Sequence, residues 1–264
     1  MIQEWLWNAL ATSPSTARHL GYVRDFTRYK ARWKRNAQAW APHLDHSREF
    51  ILHAAHDASD TDLAVVAGSG LCLDVPLREL SEAFREVLLI DLVHPWEVAR
   101  LARELGNVRL IQADLTGALG GVQSAMDTGS PPADAPRQVP DVLHGRQPGF
   151  TVSANTLSLL PLIPMERLWA TGAYSDTYLE KFAEGLIADH LAWLRSLPGV
   201  RCLLTDLTWL SVGQEETRAT NPLHGVELPS PLRFWNWKAA PRPEAHPYRD
   251  VVHTVGGIIF EPGR

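Results

Sequence analysis

The chain has little of what marks several common classes of protein. Its two cysteines give neither a disulfide framework nor a zinc-binding spacing, which fits a reducing compartment. No apolar run reaches the length of a membrane-spanning helix. The net charge of −5 disfavours general binding of nucleic acid by the surface. We therefore expect a cytoplasmic globular protein without a metal site, a membrane segment or a nucleic-acid partner.

Signatures of several catalytic classes are also missing. The chain shows no Ser-His-Asp order, no Walker loop, no paired zinc motif and no kinase signature. The first residues carry Glu4 and lack a basic start, so we expect no signal peptide. With 264 residues, the chain is long enough for one large domain or for one domain with an appendage.

The most informative run predicts a strand, a tight turn and a helix. Residues 63–67 (LAVVA) have the composition of a buried strand, and residues 68–70 (GSG) allow the sharp turn that only glycine accommodates. Asp74 is then predicted as a helix N-cap, with Pro76 in the first turn of a helix that runs to about Glu86.

Two acids follow at the ends of the next two predicted strands. Asp91 ends residues 86–91, about twenty residues beyond the glycines, where an acid can accept hydrogen bonds from ribose hydroxyls. Asp114 ends residues 107–114 and suits the amine and ring nitrogens of adenine. Leu73 stands where a dinucleotide fingerprint has its third glycine, which argues against NAD or FAD. The alternative is that both acids are solvated or cap helices.

This series of glycines and acids resembles the class I S-adenosylmethionine (SAM)-dependent methyltransferases over roughly residues 60–210. The resemblance implies that the glycine loop passes the methionine part of SAM, that the second-strand acid holds the ribose, and that an Asp-hydrophobic pair frames the adenine. The cofactor-binding residues that it implies are Gly68, Ser69, Gly70, Asp91, Asp114 and Leu115.

The order of predicted strands and helices indicates an α/β fold. We expect a Rossmann-like, three-layer fold with a mostly parallel sheet and, as the resemblance implies, a reversed C-terminal strand within residues 253–260. Residues 1–58 are predicted to form an N-terminal helical extension or cap, and residues 59–264 the Rossmann-like domain. Residues 117–149 are rich in Gly, Pro, Ser and Ala and predict a long flexible loop, poorly ordered around residues 125–140.

Two features of the N-terminal extension have alternative interpretations. Tyr22, Phe26, Tyr29 and Trp33 recur at helical spacing and form one aromatic stripe, which either packs on the protein or caps the cofactor pocket. A second helix is predicted from Pro42 to about residue 56; its histidines are more simply a partly exposed row than metal ligands.

Residues on the acceptor side come from the later strands. Residues 150–155 predict a fourth strand whose end faces the transferred group in the family, and residues 200–206 predict a fifth. The catalytic candidates are His94, Asn155 and Asp206; the substrate-binding candidates are Ser153, Asn155, Trp209, Trp235 and Trp237. The alternatives are that His94 and Asn155 cap neighbouring elements and that the tryptophans at 235 and 237 pack in the core.

The sequence therefore predicts a SAM-dependent methyltransferase that acts on a small molecule. Two alternatives remain. The loop at residues 68–73 also resembles that of nicotianamine synthases, which transfer the aminocarboxypropyl arm of SAM, and Val66 stands where methyltransferases usually have an acid. A noncatalytic nucleoside-binding protein on the same scaffold is the other. The sequence leaves the acceptor and the oligomeric state open.

Overall fold

A computed structural model describes residues 13–131 and 141–260. Its helices are α1 (Ser15–Leu20), α2 (Tyr22–His56), α3 (Leu77–Ala83), α4 (Trp96–Leu105), α5 (Leu119–Thr128), α6 (Leu162–Ala170) and α7 (Asp176–Ser196), with a short 3-10 helix at Leu157–Leu159. Its strands are β1 (Leu63–Ala67), β2 (Glu86–Asp91), β3 (Val108–Gln112), β4 (Phe150–Ala154), β5 (Val200–Val212), β6 (Thr217–Thr220), β7 (Arg233–Ala240) and β8 (Asp250–Phe260).

The strands form one eight-stranded sheet in the order β3-β2-β1-β4-β5-β8-β7. The five strands β1 to β5 are parallel, whereas β8 runs antiparallel to both of its neighbours. The short strand β6 pairs only with the far end of β5. The expected fold class is therefore confirmed: the chain has a Rossmann-like sheet with a reversed C-terminal strand.

Alternate side chains of β1 pack on opposite faces of the sheet, which produces the three layers. Ala64 and Val66 join a core with Phe50 of α2 and with residues of α3 and α4. Leu63 and Val65 join a second core on the other face, against which residues of α7 pack. Because β1 is covered on both faces, all five of its residues are buried. This double burial explains why the strand is an unbroken apolar run.

The N-terminal helix α2 bends at a different residue from the one the sequence suggested. One helix spans Tyr22–His56, and its non-helical backbone lies at Asn36, not at Pro42. The side chain of Asn36 donates to the carbonyl of Arg32, 3.0 Å away, one turn earlier in the helix. Pro42 is exposed, so water can satisfy the carbonyl that lacks its amide partner. Residues 1–12 of the predicted extension lie outside the described part of the chain.

The predicted loop at residues 117–149 contains a helix, which corrects that expectation for Leu119–Thr128. Leu119, Val122 and Ala125 recur every three residues and are all buried against α6 and α7. Their burial outweighs the low helix propensity of the two glycines that follow Leu119. Residues 132–140, where poor order was predicted, lie outside the described residues.

Within residues 13–131 and 141–260, every helix is too short or too polar to cross a membrane.

Candidate nucleoside site and the adjoining aromatic cluster

The glycine loop closes over the carboxylate at the end of β2. The amide of Gly70 donates to Oδ2 of Asp91 at 2.8 Å, and the amide of Val93 donates to Oδ1 at 3.2 Å. Gly70 has a φ of +50°, and a Cβ at this residue would meet no atom within 4 Å. The loop therefore leaves open space beside Gly70, next to a half-buried carboxylate that retains lone pairs for further donors.

The other glycine of the loop is required for packing. Gly68 has a φ of +76°, and a Cβ there would lie 2.4 Å from the side chain of Thr156 after β4. Its amide donates to the carbonyl of Ile90 on β2 at 2.9 Å. Ser69 is buried. Gly68 and Ser69 thus hold the loop between β2 and β4, while Gly70 faces the open side.

Asp114 caps the helix that follows it. Its Oδ1 accepts hydrogen bonds from the amide and the hydroxyl of Thr116, and its Oδ2 accepts one from the amide of Leu119 at 2.9 Å. Leu115 is buried in the core. The capping alternative therefore describes the contacts of Asp114, and its interaction with adenine stays a prediction.

Tyr22 of α2 lies near both strand-end acids. Burial raises the pKa of the Tyr22 phenol, and the negative charges of Asp114, Asp25 and Asp91 raise it further. Among the described residues, the buried hydroxyl of Tyr22 has no hydrogen-bond partner. The first aromatic residue of the predicted stripe therefore places an unsatisfied donor beside the acids at the ends of β2 and β3.

Asp74 does not cap a helix, because α3 begins at Leu77 and the position before it is Pro76. Its Oδ2 accepts a hydrogen bond from the side-chain amide of Asn155 at 2.6 Å. Asn155 directly follows β4 with a φ of +48°, and among the described residues its buried Oδ1 has no partner. Burial raises the pKa of Asp74, an effect that the Asn155 hydrogen bond opposes.

We expect Asp74→Asn to stabilise the fold at neutral pH. The raised pKa means that ionisation of Asp74 costs the folded state free energy once the pH exceeds the unfolded-state pKa of aspartate. The gain in the free energy of unfolding should therefore be absent in acid. It should grow as the pH rises above the ordinary pKa of an aspartate. Urea unfolding of both proteins across this range measures it; equal stability at every pH would contradict the assignment.

A β-bulge between β5 and β8 brings together the next group of side chains. Asp206 lies opposite Val255 and Trp209 lies opposite His253, with an irregular step between Asp206 and Thr208. Residues 253 and 255 point to the same face of β8, so the extra residue in β5 turns Asp206 and Trp209 toward one face as well. Without the bulge, an odd separation of three residues would place them on opposite faces.

Asp206 lies at the centre of this group of side chains. Its Oδ2 accepts hydrogen bonds from Nε1 of Trp209 at 2.7 Å and from the hydroxyl of Ser158 at 3.3 Å. Nδ1 of His253 lies 3.0 Å from the same oxygen. Asp206 is 3% exposed, and within the described residues its Oδ1 has no hydrogen-bond partner. The site thus contains a nearly buried carboxylate with one unsatisfied oxygen.

Aromatic rings lie beside Asp206 and extend toward Asp74, which follows the glycine loop. We call this set the aromatic cluster: Tyr29, Trp40, His43, Trp209, Trp237 and His253. Burial raises the pKa of the Tyr29 phenol, and the charges of both Asp74 and Asp206 raise it further. Tyr29 therefore lies near Asp74 as well as near Asp206. The aromatic cluster consequently adjoins the candidate nucleoside site.

His43 is a buried, neutral member of the aromatic cluster. Burial lowers its pKa to about 3, an effect that Asp206 opposes. Its ring stacks on Trp237 with centroids 4.3 Å apart, and its Nδ1 accepts a hydrogen bond from Nε1 of Trp235 at 3.1 Å. Trp235 and Trp237 therefore share one face of β7, as their alternation in the sequence suggested. Both pack against α2, which agrees with the alternative that they are core residues.

Two predicted site residues are buried and contact groups of the core. The hydroxyl of Ser153 is fully buried and lies 2.9 Å from Nε2 of His190 on α7. His94 is buried, and its Nε2 donates to the carbonyl of Ile111 on β3 at 3.0 Å. Both side chains connect elements of the core, and their roles at the site stay predictions.

The sequence did not single out several residues that the structure brings to the site. His253, Asp74 and His43 were predicted only as parts of a strand, a helix cap and a histidine row. The contact of His253 with Asp206 depends on the bulge and on the antiparallel pairing of distant strands, for which the local sequence carries no signal. Within the described ranges, no group of three or more His, Cys, Asp or Glu side chains is arranged to hold a metal ion.

Comparisons with known proteins give matches of structure alone. No family model matches the chain, and no curated protein matches it. Among solved structures, a complex of DhpI with SAH is 15% identical, with 90% of this chain and 96% of that chain covered, at a TM-score of 0.37. The Burkholderia thailandensis 1,6-didemethyltoxoflavin-N1-methyltransferase, bound to 1,6-didemethyltoxoflavin and S-adenosylhomocysteine, is 14% identical, with 87% and 88% covered, at a TM-score of 0.33.

Proposed function

We propose that the chain is a SAM-dependent methyltransferase whose acceptor is a small molecule. The observation that supports it most is the open space at Gly70 beside the Asp91 carboxylate. The glycine loop follows β1, the strand at which the sheet order reverses, and ligands of open α/β sheets bind outside the strand ends near such a point. The amide contact between Gly70 and Asp91 supports a site built from two adjacent strand ends.

The described residues fit the chemical groups of SAM. Asp91 would accept hydrogen bonds from the ribose hydroxyls, and the unsatisfied hydroxyl of Tyr22 would donate to the nucleoside. Gly70 lets the backbone approach the methionine part without a Cβ in the way. SAM supplies an electrophilic methyl group, so the protein chiefly aligns donor and acceptor and removes any acceptor proton.

A small acceptor is supported by what surrounds the site. Helix α2 packs against β7 and β8 and places Tyr22 and Tyr29 along the strand ends. Four arginines of this helix share two acids: Arg24 and Arg28 lie near Asp25, and Arg32 and Arg35 lie near Glu244. A helix packed along the strand ends favours a compact acceptor.

Ligand-induced stabilisation is the direct test of the cofactor. At a hundred times the dissociation constant, a ligand adds about 2.7 kcal/mol, so we expect S-adenosylhomocysteine (SAH) to raise the melting temperature by roughly 5–10 °C. NAD should give no shift. Stabilisation by neither SAM nor SAH would contradict the proposal and favour a noncatalytic protein.

The products then identify the reaction. SAH as the product of SAM turnover would establish methyl transfer, whereas methylthioadenosine would establish transfer of the aminocarboxypropyl arm. Mass spectrometry of the turnover mixture distinguishes the two.

A further inference from the structure

The exposed side of the aromatic cluster has the shape of a wall for a flat ligand. Tyr29, Trp209 and His253 are partly exposed, whereas Trp40 and Trp237 are buried behind them. The rings of Trp209 and His253 are 5.4 Å apart and tilted by 31°, and Trp237 meets His253 edge-on at 5.1 Å. The buried rings fix the exposed ones, so a planar molecule finds preorganised stacking partners here.

Asp206 and His253 form an acid–imidazole pair within this wall. Nδ1 of His253 is buried and lies 3.0 Å from Oδ2 of Asp206 without a hydrogen bond among the described residues, while the side chain as a whole is 15% exposed. The exposed part of the imidazole is therefore its far edge. An adjacent carboxylate favours a proton on Nδ1, which leaves Nε2 as a proton acceptor toward the open side.

The carboxylate of Asp206 lies beside His253 in a nearly buried position. Asp206 is almost completely buried, and one of its oxygens has no hydrogen-bond partner among the described residues. A buried carboxylate is costly unless a cation or donors compensate it. An imidazolium formed at His253 during proton transfer would lie 3.0 Å from this carboxylate.

From this geometry we infer that the acceptor is a planar aromatic molecule with an ionisable O–H or N–H group, and that His253 removes its proton. The inference rests on the proposed function and names the class of acceptor. The acceptor loses its proton to Nε2 of His253, and the freed lone pair bonds to the methyl carbon. The electron pair of the broken carbon–sulfur bond stays on sulfur in SAH, and the imidazolium faces the carboxylate of Asp206.

Two phenols of the same shape but different acidity test the inference. Phenol is neutral at the assay pH, whereas 4-nitrophenol is largely ionised; anisole has the ring but no ionisable proton. We expect both phenols to be methylated. His253→Gln should lower kcat with phenol by about 10²- to 10⁴-fold, the usual contribution of a positioned base. With 4-nitrophenol the loss should be much smaller, because its proton is already gone.

Two further variants separate chemistry from folding. Asp206→Asn keeps the size of the side chain and an oxygen for Trp209, and should also impair phenol more than 4-nitrophenol. His56→Gln changes a histidine that is 90% exposed and should leave both rates unchanged. Calorimetry with SAH checks each variant, and unchanged SAH affinity shows that the cofactor site is intact.

Each outcome of these experiments either supports or overturns the role of His253 or the class of acceptor. A selective loss with phenol supports the inference. An equal loss with both phenols overturns the role of His253. If the chain binds SAH but neither phenol binds at millimolar concentration, the acceptor class is overturned and the proposed function stands. If the unaltered chain does not bind SAH, the proposed function fails, and this inference with it.

Discussion

Asp91→Ala should weaken SAH binding roughly one hundredfold, which corresponds to about 2.7 kcal/mol. A carboxylate that accepts hydrogen bonds from two ribose hydroxyls makes charge-assisted contacts, and alanine removes both. The variant also leaves the amides of Gly70 and Val93 without their acceptor, so the glycine loop loses the contact that shapes it. Isothermal calorimetry with SAH measures the change in affinity.

A second variant separates the ligand contact from the shape of the loop. Asp91→Asn keeps an oxygen for the Gly70 amide but removes the charge and one acceptor, so we expect an intermediate loss of affinity. Asp62→Asn, an exposed acid before the opposite end of β1, is the matched control and should bind SAH normally. Wild-type affinity in Asp91→Ala would show that the ribose lies elsewhere.

The sequence was most informative where local patterns alone determine structure. The observed bounds of β1 and β2 are those predicted, because both strands are apolar runs. The meeting of the glycine loop with the acid after β2 was also predictable. Parallel strands place their carboxyl ends at one edge, so Gly70 and Asp91 meet as soon as β1 and β2 pair.

The remaining features depend on contacts between residues distant in sequence. The bulge in β5 turns Asp206 and Trp209 to one face, against the alternation that the sequence alone suggests. Helix α5 forms in a segment rich in small residues because α6 and α7 bury its apolar stripe. His94 closely follows Asp91 in sequence, yet its bond to Ile111 of β3 holds it in the interior. In each case tertiary packing decided between local alternatives.

Glu97→Gln should destabilise the fold because it breaks a nearly buried ion pair between α2 and α4. Lys30 of α2 is 3% exposed, and its ammonium contacts Oε1 of Glu97, which is one-third exposed. Removing one partner of a buried pair typically costs about 3–5 kcal/mol, and the partial exposure of Glu97 places our expectation near about 3 kcal/mol. Urea unfolding measures the loss.

A double-mutant cycle measures how strongly Lys30 and Glu97 are coupled. Lys30→Met combined with Glu97→Gln removes both charges of the pair, so the double variant should be more stable than the sum of the two single changes implies. If Glu97→Gln loosens α2, it should also weaken SAH binding, because α2 carries Tyr22 beside Asp91 and Asp114. The double variant should restore that affinity together with stability. Restored stability without restored affinity would show that the charges of Lys30 and Glu97, and not the position of α2, set the affinity for SAH.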